Sequence, residues 1–350
     1  MKLSVKNYQR IVVKLGASLF CPRQGALDTA LVSALAGSIA KLIKDGLEII
    51  LVSSGAIAIG MNKLKLHKRP RELDGLQAAA AIGQPELMGI YQRFFRGHAI
   101  TCAQVLLTWE DFLERRRYLN AKNTLLKLLK LGCLPIINEN DTVSVDEIKF
   151  GDNDRLSALV ASLVSADLLV ILSDVDGLWG KDKLIIPVVE EITPAISCLA
   201  RPTDKQSCAG GMVTKIEAAK ICVNSGIPCI IANGRKKDIL SAPEGTLFLP
   251  KKALAARKRW IAYSSRTGGR ITVDEGARRA LLNKKSLLAV GVAAVEGNFE
   301  SGEIVSLVDC QGKEFARGKV CFSCRQLAKS LGKRMEKEVV HCDNIVLLWP

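Results

Sequence analysis

The stretch INENDTVSVDEIKFGDNDRLSALVASL, Ile137 to Leu163, sets Asn138, Glu139, Asn140, Asp141, Asp152, Asn153 and Asp154 between two apolar runs. Grouped acids and amides offer acceptors to an ammonium group and donors to a carboxylate, although each alone is also a turn former or helix cap. Asp154, just before Arg155, could be only an N-cap. Two lysines stand at strand-to-helix junctions. VVKLGAS puts Lys14 and Gly16 just past a β-branched run, and AGGMVTKIEAAK leads from Ala209, Gly210 and Gly211 into a helix carrying Lys215. A lysine near a helix start opposes the helix dipole, a misfit relieved if it is aimed at a phosphate, although an exposed helix lysine is the commoner case. ILVSSGAIAIG ends a second apolar run on Ser53, Ser54 and Gly55, and LSDVDG ends a third on Ser173 and Asp174. Small residues there admit a ligand close to the backbone, and a helix starting at Ser-Ser-Gly directs its positive end at an anion.

Other chemistries lack their residues. GAIAIG, from Gly55 to Gly60, is followed by Met61 and Asn62 instead of the Lys and Ser or Thr of a P-loop. No GxGxxG follows a strand, so a dinucleotide fingerprint is missing. His67, His98 and His341 lie outside every polar cluster, which argues against histidine acid–base or metal chemistry.

The elements that must position these residues alternate. Strands are expected at Ile11 to Val13, Glu48 to Val52, Thr101 to Leu106, Leu134 to Ile137, Leu168 to Leu172 and Pro228 to Ile231. Helices are expected from Asp28 to about Lys44, Glu72 to His98, Asp111 to Leu131, Arg155 to Ser165 and Thr214 to Asn224. Leu31, Leu35, Ile39 and Leu42 share one face of the first helix, with Asp28 as its N-cap and Gly46 as its stop. This order predicts an α/β fold with a mostly parallel sheet, whose strand ends share one edge where the glycine-rich turns converge. After about Leu249 the texture changes. ITVDEGARRALL and short segments at Leu287 to Val295, Glu303 to Val308, Lys319 to Phe322 and Asn344 to Leu348 predict a small β-rich second domain.

The chain has 350 residues, 48% hydrophobic and 24% charged, enough for two domains with a sizeable core. Its longest apolar stretch, Leu159 to Leu172, contains Asp167 and is too short to span a bilayer, and Met1 to Val13 lacks a signal-peptide pattern, so a cytoplasmic location is expected. A net charge of +15 favours an anionic ligand or nucleic acid. The run Lys251, Lys252, Arg257, Lys258, Arg259 reads first as a solvated linker and second as an RNA contact. Eleven cysteines, with one CxxC at Cys321 and Cys324 and no second pair for zinc, read as reduced and mostly buried thiols.

With all these motifs in view, the chain resembles the amino-acid kinase family, in the branch that phosphorylates glutamate. The resemblance runs through VVKLGAS, VSSGAIAIG, QAAAAIGQPELM, LNAKNTL, PIINENDTVS, IKFGDNDRLSALVA, SDVDGLW, GGMVTKIEAAK, RKRWI and GRITVDEGA. From about Gly269 the tail resembles a PUA domain, a module associated with RNA-modifying proteins. The resemblance implies a three-layer sandwich with a mostly parallel open sheet over residues 1–250, a basic linker over 251–268 and a PUA-like domain over 269–350. It implies transfer of the γ-phosphoryl group of ATP to the γ-carboxylate of L-glutamate, with Mg²⁺ arriving on ATP and no protein ligand assigned to it. A carboxylate acceptor with a pKa near ~4.3 is already ionised, so the lack of an active-site histidine fits this chemistry.

By the same resemblance, Lys14 contacts the transferring phosphoryl oxygens, Lys215 compensates charge on the β-phosphate side, and Asp154 orients both ammonium groups. Asp141 takes the substrate's α-ammonium, Asn138 and Asn153 donate to its carboxylates, and Ser54 with the Gly55 N–H binds the reacting end. Lys14, Gly16, Ser173, Asp174, Ala209, Gly210, Gly211, Met212, Val213, Thr214 and Lys215 make up the nucleotide site. A homo-oligomer, inhibition by proline and RNA contact through the tail are further expectations, with no membrane role. The rivals are a kinase of the same fold acting on another carboxylate, a carbamate or a phosphate such as UMP, and an RNA-binding protein that keeps the kinase domain as a scaffold.

Overall fold

The computed structural model describes residues 5–20, 28–144, 152–200, 211–250, 258, 260–264, 267–331 and 335–348. Two compact units divide the chain, one of Met1–Asp111 with Arg116–Ala253 and one of Phe112–Arg115 with Leu254–Pro350.

The first unit is built on strands β1 Arg10–Leu15, β2 Glu48–Ser53, β3 Cys102–Leu107, β4 Leu134–Glu139, β5 Leu168–Ser173, β6 Val188–Val189, β7 Cys229–Asn233 and β8 Gly245–Phe248. They form one sheet in the order β3-β4-β2-β1-β5-β7-β8-β6. Pairing is parallel from β3 across to β7 and turns antiparallel between β7 and β8. The helices are α1 Ala17–Phe20, α2 Thr29–Lys44, α3 Ala56–Lys63, α4 Leu73–Arg96, α5 Glu110–Leu113, α6 Arg115–Lys130, α7 Asp152–Val164, α8 Pro194–Cys198 and α9 Met212–Asn224. The expected N-cap is in place, with the Asp28 carboxylate accepting from the Leu31 N–H at 3.1 Å.

The central strands RIVVKL, EIILVS and LLVILS are almost wholly buried because helices cover both faces of the sheet. Strand periodicity sorts their side chains. Ile11, Val13 and Leu15 join a core with Val32, Leu35 and Ile39 of α2 and with Leu87, Tyr91 and Phe95 of α4. Val12 and Lys14 therefore face the opposite side, where α7 crosses β1 and packs beside α9. On the first face, Ser53 shares a 2.6 Å hydrogen bond with the Tyr91 hydroxyl.

Helix α7 starts at Asp152, earlier than the expected Arg155, so Asp154 lies inside its first turn. The single helix expected from Asp111 to Leu131 is interrupted after α5. The Asp111 carboxylate accepts from the Thr108 N–H at 2.6 Å and from Arg117 at 2.7 Å, anchoring a separate turn ahead of α6.

The second unit holds a five-stranded sheet in the order β10-β9-β11-β12-β13, from β9 Thr267–Val273, β10 Val292–Gly297, β11 Ile304–Val308, β12 Glu314–Lys319 and β13 Ile345–Leu347. Its own core gathers Ile271, Val273, Leu281, Phe299, Val305, Leu307 and Val339. Most of the basic run lies outside the described residues. Within the expected linker, Trp260–Ser264 forms a π-helical turn whose Ile261 and Ala262 are buried with Ile304 and Val346. The cysteines correct one expectation: of those described, Cys222 and Cys229 are buried, whereas Cys198 and Cys310 are exposed and the rest half-buried. All are free thiols.

Candidate active site

In a parallel sheet the carboxyl ends of neighbouring strands point one way, and this one sets Lys14, Ser54, Asn138 and Ser173 at or just past that edge. Lys14 of β1 pairs in register with Val52 of β2 and Ile171 of β5, and Val52 pairs with Ile137 of β4. The turns after β1, β2, β4 and β5 thus lie side by side around the central strand, the place where open α/β sheets bind ligands.

Asp154 is the pivot. Its carboxylate receives Lys14 Nζ on Oδ1 at 2.6 Å and Lys215 Nζ on Oδ2 at 3.2 Å, and Thr214 donates its hydroxyl to Oδ2 at 2.8 Å. All three charged residues are buried, Asp154 at 1% exposure and each lysine at 6%. Burial alone would raise the Asp154 carboxyl. Lys14, then Lys215, and the hydrogen bonds from Lys14 and Thr214 outweigh it and hold the group at about 2. Two ammonium groups on one carboxylate leave a net positive charge away from water, an arrangement that costs free energy until an anion joins it.

Backbone N–H groups converge on the same edge. Helix α9 begins after Gly211 with no side-chain cap, so its first-turn amides, those of Met212, Val213 and Thr214, form an anion site at the positive helix end. Gly55 is the N-cap of α3 at φ 117°, a backbone region costly for any residue with a Cβ. As a glycine, Gly55 offers no side-chain cap to that helix either. The Gly16 N–H donates to the Leu172 carbonyl at 3.0 Å, tying the β1 turn to β5. Ser173, at the end of β5, is 3% exposed and its hydroxyl has no hydrogen-bond partner among the described residues. Asp174 follows on the exposed side of that turn. Ala209 and Gly210 lie outside the described residues.

A second polar group forms beside β2 and β4. Asn153 Nδ2 donates to Ser54 Oγ at 2.8 Å and to Asn138 Oδ1 at 3.1 Å. Asn138 Nδ2 donates in turn to Gln84 Oε1 of α4 at 2.8 Å. Asn153 thus gives both amide protons to protein oxygens, and Asn138 gives one of its own to Gln84. Ser54, accepting from Asn153, retains a hydroxyl proton that it can donate. Asp141 sits in the turn after β4 near Arg69. Burial raises its carboxyl to about 6, with Arg69 pulling it partly back. Among the described residues no hydrogen bond joins Asp141 to the amide group. Gln84 carries no role in the sequence reading; the available signal is a polar side chain between Gly83 and Pro85 in a helix that otherwise turns Leu76, Ala80 and Leu87 inward.

Comparison with known proteins identifies the family. The profile described as the amino acid kinase family matches residues 9–233, and that of the PUA domain matches residues 269–342. A glutamate 5-kinase of Thermoanaerobacter sp. (strain X514) is 47% identical, covering 97% of this chain and 98% of its own. The glutamate 5-kinase of Moorella thermoacetica is 43% identical, covering 99% of this chain and 98% of its own. Among solved structures, Giardia carbamate kinase matches with a TM-score of 0.50 at 20% identity, covering 69% of this chain and 99% of its own, a likeness of fold. The chain belongs to the amino acid kinase family, within its glutamate 5-kinase group, and carries a PUA domain behind the kinase domain.

Proposed function

We infer that the protein transfers the γ-phosphoryl group of ATP to the γ-carboxylate of L-glutamate, giving L-glutamyl 5-phosphate, the first step of proline biosynthesis. The observation that carries this reading is the buried Lys14–Asp154–Lys215 group at the edge shared with Ser54, Gly55 and the amides. The acceptor is an anion approaching a polyanion, so the barrier is electrostatic and fixed cations lower it. Lys14 meets the transferring phosphoryl group and Lys215 the leaving β-phosphate side, each aimed by one oxygen of Asp154. Ser54 and the Gly55 N–H hold the reacting carboxylate, and Asp141 faces the α-ammonium. Gly16, Ser173, Asp174 and the stretch from Ala209 to Thr214 receive the nucleotide.

The Asp154 carboxylate is engaged by Lys14, Lys215 and Thr214, and it is given no role as a metal ligand. Mg²⁺ would arrive with ATP, held by phosphate oxygens and water as suits this hard cation, and would supply further charge neutralisation. The test is hydroxylamine trapping of the acyl phosphate. Product is expected with ATP and L-glutamate together; product formed only with another carboxylate, carbamate or UMP as acceptor overturns the assignment.

Two regulatory features belong to the same reading: a homo-oligomer, checked by mass in solution, and proline competing at the glutamate pocket, checked as a rise in glutamate KM in the same assay. A cytoplasmic location accords with the described helices, none of which is long and apolar enough to cross a membrane.

A further inference from the structure

The direction of each amide beside β4 follows from one unambiguous donor. The backbone N–H of Glu139 lies 2.9 Å from a terminal atom of the Asn138 side chain. A backbone N–H only donates, so that atom is the carbonyl oxygen Oδ1. The Asn138 amide nitrogen then points to α4 and donates to Gln84 Oε1 at 2.8 Å, which turns the Gln84 amide nitrogen toward Gln104 Oε1 at 3.3 Å. At the other end, Asn138 Oδ1 already serves as acceptor, so the atom of Asn153 3.1 Å from it is Nδ2, whose second proton goes to Ser54 Oγ. The Asn153 carbonyl oxygen is left over. It is screened from solvent and, among the described residues, meets no donor. A buried acceptor in that state is costly unless a bound molecule brings it a proton.

We propose that Gln84 is a positioning residue for substrate recognition, fixing an amide relay that turns the carbonyl of Asn153, not its NH₂, toward the amino acid, where it accepts from the α-ammonium group. The relay rests on the glutamate reading above and deepens it. Its consequence is a division of labour in the pocket. Asn138 and Gln84 touch no substrate and hold orientation. Asn153 reads the ammonium and Ser54 keeps its proton for a carboxylate. Glutamate is thereby separated from glutarate, which has the same two carboxylates and no α-ammonium.

The test compares wild type, Gln84→Leu and Gln84→Glu, with KM and kcat for L-glutamate and the inhibition constant of glutarate. Gln84→Leu leaves Asn138 Nδ2 without its acceptor. It is expected to raise the glutamate KM roughly ten-fold, the scale of a lost hydrogen bond to a charged group, with kcat within about two-fold and the glutarate constant unmoved. Gln84→Glu keeps an acceptor for Asn138 and should restore most of the lost affinity. Equal weakening of glutamate and glutarate in Gln84→Leu, or a lowered melting temperature with no change in their ratio, overturns the proposal and leaves Gln84 a merely structural residue. Wild-type turnover with glutamate separates the two layers: if it is absent, the glutamate reading fails and the relay's role fails with it; if it is present, the variants judge the relay alone.

Discussion

Asp154 is buried and Asp141 half-buried, and their surroundings drive the two carboxyls in opposite directions. Asp154, held at about 2 by Lys14 and Lys215, stays ionised throughout the working pH range. Its folded value lies below the unfolded one, so its contribution to stability is complete above pH about 4 and is lost as the pH falls through about 2. Asp141, raised to about 6, lacks a matching cation of comparable strength. Its ionised form costs the folded protein stability above that value, and the substrate ammonium recovers the cost. Glutamate KM is therefore expected to rise as the pH drops through about 6, with kcat much less affected, and Asp141→Asn should flatten that profile while raising KM at neutral pH. An unchanged profile in Asp141→Asn would remove Asp141 from the ammonium site. Lys14, Lys215, Asp154 and Asp141 stand out in the sequence because charged residues at strand ends and helix starts break the local apolar pattern, while the roles expected of them come from the family resemblance. Amide direction was not legible there, since Asn138 and Asn153 can present either end and only the Glu139 backbone decides between them.

At the scale of elements, α3 and α4 cross with their backbones nearly touching. A Cβ on Gly83 would fall 1.8 Å from the Ala56 carbonyl oxygen, and one on Gly60 would fall 1.8 Å from that of Ala79. This contact matters to the site because α3 starts at Gly55 and α4 carries Gln84 and Tyr91. Gly83→Ala is expected to destabilise the protein by about 1–3 kcal/mol in denaturant unfolding, as overpacking does. Gly89→Ala, on the same helix with nothing within 4 Å, should instead stabilise by about 0.5–1 kcal/mol. Similar effects at both positions would contradict the close crossing. The strands and long helices of the kinase unit were readable from period and caps, whereas β6 and β8 were not. Val188–Val189 is too short for a period, and β8 earns its place by pairing with β7 and β6 rather than by its own pattern.

At the scale of the whole molecule, each unit has its own apolar core, with Val5 to Leu240 supplying one and Ile271 to Ile345 the other. The change in texture past Leu249 made the second unit visible in the sequence, while β12 was missed because EFARGK interleaves glycine and charge. Since Ile261 and Ala262 are buried with Ile304 and Val346, a cut at 250 divides the chain more cleanly than one at 269. A chain ending at 250 is expected to retain glutamate kinase activity, and salt-sensitive RNA binding, if the PUA domain supplies any, should disappear with the removed part. Loss of turnover with the truncated chain still folded would show that the second unit takes part in catalysis. The central claim is that two buried lysines, aimed by one carboxylate, neutralise the group in transfer. Its most direct measurement is kcat for hydroxamate formation from ATP and L-glutamate in Lys14→Met and Lys215→Met beside wild type, with circular dichroism confirming a native fold. The account predicts a fall of about 10²- to 10³-fold in each variant; turnover within a few-fold of wild type in either would contradict it.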